Sequence, residues 1–237
     1  MRIPCAVPLI IAIGLFASSA FSEVIDARSG RSSAAIKLQN EGQALLEKGD
    51  YANAFRKFDE AVRLDPTLWA AYYNRAVLNL REHKFQQAID DATATLRIKS
   101  TFARAAVLRA GANAKLGNYD AAIAEFNHVI DLGRFGNGYA SALNDSAWLR
   151  ATCPDARYRN GRLALQQAAL ACRITWDRNS NCLDTLAAAN AELGNFDAAI
   201  RVEQMAVALR QSTEGRKKLE QHMAAFKQHQ PWRENSR

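Results

Sequence analysis

What the chain has little of narrows it first. Past the N-terminal segment no run of 18 apolar residues occurs, and a membrane-spanning helix needs roughly 20. The rest of the chain is therefore expected to be soluble. Pro (5) and Gly (12) are scarce in 237 residues, which argues against an all-β protein that must turn every 8–12 residues or so. No Cys-x-x-Cys, His-Glu-x-x-His, Gly-x-Ser-x-Gly or phosphate-cradling glycine loop is present. Catalysis, a metal and a cofactor are accordingly not expected. Basic residues (31) outnumber acidic ones (24) to give +7. With no run of five like charges to focus it, that excess points to no specific nucleic-acid binding. Hydrophobic residues make up 49%, enough for a packed core.

The N-terminus reads as an address. Met1-Arg2 is positive, Cys5 to Phe16 is apolar apart from Pro8 and Gly14, and small residues follow at Ala17, Ser18, Ser19 and Ala20. This is the pattern of a secretory signal over residues 1–22, with cleavage after Ala20 or Ser22. An exported, periplasmic or secreted location follows, with membrane contact only if the signal stays uncleaved. Residues 23–34 lack periodicity and read as a flexible leader.

From there the chain repeats itself. Gly42, Ala76 and Ala110 are spaced by 34, as are Ala54, Ala88 and Ala122, and Tyr51, Phe85 and Tyr119. All three ladders resume 77 residues later, at Ala187, Ala199 and Phe196, which is two periods plus nine. Within one unit, Leu38, Gly42 and Leu45 form a helical stripe and Gly49-Asp50 breaks it. Tyr51, Ala54, Phe58 and Ala61 form a second stripe, and Pro66 stops that one. One such hairpin cannot bury its stripes without a stacked neighbour.

The series Gly42, Gly49-Asp50-Tyr51, Ala54, Phe58, Ala61, Pro66 resembles the tetratricopeptide repeat. A later pair of units, with "WLRATCPD" and "LDTLAAA", is similar to an extended variant from exported bacterial proteins. The resemblance implies an all-α, right-handed superhelical solenoid over residues 35–212. Its five units are expected near 35–68, 69–102, 103–136, 140–179 and 180–212, followed by a capping helix at 213–228 and a tail at 229–237. The irregular loop after Thr152 is the expected weak joint.

The resemblance also implies a non-catalytic scaffold of the bacterial envelope, with a concave groove built by the first helix of each hairpin. An acidic or amphipathic peptide or helix of another protein is expected there. Its expected lining is Gln39, Gln43, Tyr73, Asn74, Val77, Arg81, Arg104, Val107, Gly111 and Lys115. Electrostatic binding of anionic polymers or a lipid surface is the other reading of the charge, and service as an accessory subunit of an envelope enzyme is a third. Among the cysteines, Cys172 and Cys182 are the pair placed to bond, since one ends a helix where the next begins. Asn144 and Asp184 are expected to hydrogen-bond to each other or to backbone. His222 and His229, seven apart with no acidic partner nearby in sequence, are not expected to hold a metal.

Overall fold

The computed structural model describes residues 30–133, 138–176 and 178–234. The expected signal and most of the expected leader lie outside them. The chain divides into two compact units, one ending at Leu78 and one beginning at Asn79.

Unit 1 holds helix α1 over residues 30–47, α2 (Tyr51–Leu64) and most of α3 (Trp69–Arg81). Because α1 already runs at residue 30, residues 30–34 are helix rather than flexible leader. Gly49 adopts φ +78°, the left-handed conformation that ends a helix at low cost to glycine. Asp50 then caps α2, its Oδ1 accepting from the Asn53 N–H at 3.2 Å. Phe58 is fully buried with Ala54 and Leu78. The ring lies so close to α1 that a Cβ on Gly42 would stand 2.6 Å from Phe58 Cε1. Gly42→Ala should therefore destabilise unit 1 by about 1–3 kcal/mol through overpacking. An unchanged urea midpoint for that variant would show that the two helices part without cost.

Unit 2 contains α4 (Phe85–Ile98), α5 (Ala103–Lys115), α6 (Tyr119–Asp131), α7 (Tyr139–Thr152), a 3-10 turn (Ala156–Tyr158), α8 (Gly161–Ile174), α9 (Ser180–Glu192), α10 (Phe196–Leu209) and α11 (Thr213–Lys227). Consecutive helices pack as hairpins, while α5 packs on α7 and α7 on α9. Alanine dominates the seams, at Ala110, Ala142, Ala147, Ala187 and Ala188 among others, all shut off from solvent. Small side chains let helix backbones approach closely. Phe126 and Phe226 fill the space left over.

The loop after Thr152 is fastened rather than weak. The Arg159 guanidinium donates to the Cys153 carbonyl at 2.9 Å, and the Tyr158 hydroxyl donates to Asp120 at 2.9 Å. The Asn160 N–H returns to the Arg150 carbonyl, and the Asn160 side chain caps α8. The expected tail is also not free. After α11 the chain turns at His229, with φ +57°, and residues 232–234 return onto the body of unit 2.

Candidate functional site

Unit 2 has a half-open cavity of about 790 Å³. Lys115 ends α5 on one side, Asp145, Trp148 and Thr152 line it from α7, and Trp232 and Glu234 enter from the returning chain end. The helical register explains the α7 set, since residues 145, 148 and 152 step by three and four along one face.

Glu234 is held at three points. Its Oε2 lies 3.0 Å from Lys115 Nζ, its Oε1 accepts the Trp148 indole N–H at 2.9 Å, and its own backbone N–H donates to the Thr152 carbonyl at 2.9 Å. Burial pushes the Glu234 carboxyl up, but Lys115, Lys218 and the indole together outweigh it and hold the group below the usual carboxylate range. Arg233 reaches Glu192 and the Ala151 carbonyl, while Trp232 packs among Ala147, Ala151 and Phe226. Lys218 lies 5.8 Å from the Trp148 ring centroid, within cation–π range. The second acid of the cavity behaves differently. Burial pushes Asp145 up to about 6, against the opposing pull of the Asn144 amide at 3.0 Å and of Lys115.

The site offers a cation, an indole donor and an apolar wall, which suit a carboxylate carried next to an aromatic residue. Cys153, at its edge, has its thiol pushed up by burial, the reverse of what a nucleophile requires.

The expected groove residues divide between the two units. Gln39, Gln43, Tyr73, Asn74 and Val77 fall in unit 1, where the Asn74 amide donates to Gln43 Oε1 at 3.5 Å. Arg81, Arg104, Val107, Gly111 and Lys115 fall in unit 2. Of these, Gly111 and Lys115 line the cavity, Arg81 and Arg104 are exposed away from it, and Val107 is packed beside Ala106 and Phe126. Trp148, Lys218, Trp232 and Glu234 were not expected there. The available signal was Trp232, one large apolar residue in an otherwise polar segment.

Other expectations also changed. Asn144 donates to its neighbour Asp145, whereas Asp184 pairs with Nδ1 of His222 at 2.8 Å. His229 does not join His222 but stacks on Phe196, with ring centroids 5.0 Å apart. Cys172 and Cys182 are buried in one cluster, as their expected proximity requires, with their side chains close enough to hydrogen-bond through sulfur.

Residues 42–82 match the family described as TPR repeat, and residues 103–132 match the tetratricopeptide repeat. Those two stretches carry tetratricopeptide repeats. A tetratricopeptide repeat and J domain-containing co-chaperone from Cryptococcus neoformans is 37% identical over 111 residues, covering 47% of this chain and 21% of that protein. The chain spans about a fifth of the length of the curated relatives it matches first. Among solved structures, the APC/C hetero-tetramer Cut9–Hcn1 matches with TM-score 0.71 at 16% identity, over 88% of this chain and 40% of that one. Pseudomonas aeruginosa pilF matches with TM-score 0.63 at 14% identity, over 84% and 87%. At these identities the likeness establishes the all-helical tetratricopeptide fold.

Proposed function

We propose that this chain is a non-catalytic interaction module whose unit 2 cavity receives an acidic segment of another protein, displacing the chain's own residues 232–234. The observation that carries this reading is Glu234. Its carboxylate sits on Lys115 and Trp148, and its backbone N–H donates to the carbonyl of Thr152 at the end of α7, as a bound peptide's would. Tetratricopeptide repeats serve as protein-binding scaffolds, and this site holds a peptide-like occupant from its own chain.

A fluorescent peptide copying residues 229–237 tests it. Full-length protein should bind the peptide weakly, because the tethered copy competes at high effective concentration. Glu234→Lys should open the site and tighten peptide binding at least tenfold. In a Glu234→Ala background, where the tethered competitor no longer uses Lys115, Lys115→Glu should weaken it by about 10- to 100-fold, the range for losing a charged hydrogen-bond partner. Peptide binding that ignored both changes would remove the cavity from the argument. Binding that followed only salt concentration would favour the polyanion reading.

The signal-like residues 1–22 support placing this activity in the bacterial envelope. N-terminal sequencing of protein recovered from the periplasm should find the chain starting at Phe21 or Glu23. Export would also expose Cys172 and Cys182 to oxidation, readable as a two-hydrogen mass loss after alkylation without reductant.

A further inference from the structure

A second polar cluster lies inside unit 2. Asp184 of α9, Glu203 of α10 and His222 of α11 each contribute one side chain, all three residues are buried, and Glu203 and His222 are wholly shut off from solvent. His222 Nδ1 stands 2.8 Å from Asp184 Oδ1 and 3.9 Å from Glu203 Oε1, and the three candidate donor atoms lie within 4.8 Å of one another. Two donors on a tetrahedral zinc ion are about 3.3–3.5 Å apart, given bonds of about 2.0–2.1 Å. The observed spacings bracket that value.

Part of the arrangement is a hydrogen-bonded network, since His222 Nδ1 pairs with Asp184 and the Glu203 and Asp184 carboxyls face each other closely enough to share a proton. A buried carboxylate is normally met by donors, yet neither oxygen of Glu203 accepts a hydrogen bond from an N–H donor among the described residues. Arg210 exerts an opposing pull on the Glu203 carboxyl, but its Nη2 donates to Asn181 and its Nε has no partner among the described residues. Three helices thus converge on a buried Glu203 carboxyl that no N–H donor among the described residues meets, beside a second carboxylate and an imidazole.

We infer that Asp184, Glu203 and His222 form a binding site for one divalent transition-metal ion of the zinc type, which ties the capping helix to the last hairpin. Two carboxylates balance a dication in a dry site, where an unbalanced charge would be costly. Calcium and magnesium want six or more oxygens, which this set does not offer; an imidazole with two carboxylates suits zinc, cobalt or nickel. Glu203, once deprotonated, can bind through both oxygens and complete four-coordination. The inference rests on other residues than the cavity reading, although the His222 ring packs against Trp148 and Trp232, which line the cavity.

The test uses the full-length chain stripped by a chelator and titrated with Zn²⁺ and with Co²⁺. One Zn²⁺ per chain should bind and raise the melting temperature. Co²⁺ should give a visible ligand-field absorption that Zn²⁺ displaces. It should also quench tryptophan emission, since the rings of Trp232 and Trp148 lie 4.3 Å and 5.6 Å from that of His222. Glu203→Gln keeps the shape, and it should stay helical by circular dichroism while binding at least 100-fold more weakly. His83→Gln with His229→Gln should change nothing. Well-folded wild type with neither a cobalt band nor a zinc-dependent melting shift would overturn the site. So would a cobalt band that survives Glu203→Gln, because the ion would then sit elsewhere.

Discussion

Phe226→Ala is expected to lower the stability of unit 2 by about 3–5 kcal/mol, the range for emptying a large buried aromatic site. Phe226 is fully buried on α11, against Ala147, Ala151, Ala187 and Ala188. Alanine neighbours have no longer rotamers with which to fill the void, so relaxation recovers little. The same ring is the main apolar anchor between the capping helix and the hairpins beneath it, together with Leu219. A urea titration followed by circular dichroism reads the change. A loss under about 1.5 kcal/mol would mean that α11 rests on the unit without being built into it.

Glu203→Gln should act in the opposite direction. In chelator-treated protein at pH 7, we expect it to stabilise unit 2 by about 2–3 kcal/mol. Burial first, and the neighbouring Asp184 second, push the Glu203 carboxyl up to about 9, with Arg210 pulling the other way. His222 faces the group from α11. A carboxyl whose folded pKa is raised keeps a proton that the unfolded chain releases. Its penalty is absent below about pH 4.5, grows as pH rises, and reaches its full size above about 9. Wild-type melting temperature should therefore fall between pH 5 and 9. Gln, neutral throughout, should remove most of that slope. A smaller fall between about pH 4 and 6 should survive in the variant, because Asp145 is pushed up to about 6. Parallel pH profiles for the two proteins would show that Glu203 is solvated or already paired.

The parts of this molecule that repeat were legible, and the parts that occur once were not. Gly42 facing Phe58, the Gly49-Asp50 turn, and Ala110 and Ala122 in one core follow from spacing, since each position recurs every 34 residues under one packing constraint. Lys115 was expected on the groove side of α5 by the same logic, and it lines the cavity. Its partner was not, because Glu234 lies 119 residues away and belongs to no repeat. His222 and Asp184, 38 residues apart, escaped for a related reason. Their pairing joins a repeat helix to a cap, and periodicity says nothing about a junction that happens once. The loop after Thr152 looked like an interruption because its bonds run through the Arg159 guanidinium, the Tyr158 hydroxyl and backbone groups instead of an apolar stripe.

The return of residues 232–234 onto α5 and α7 changes how this unit should come apart. A linear array of helix hairpins, each touching its neighbours alone, can fray from either end one hairpin at a time. Here the ion pair from Lys115 to Glu234 joins residues 119 apart, so detaching the chain end after the last helix also costs the contact made at the end of α5. The helices from α5 to α11 are thereby latched. Hydrogen exchange across α5 to α11 should accordingly report one opening free energy shared by all the helices. Release of the latch should convert it into a gradient that declines toward the C-terminal end.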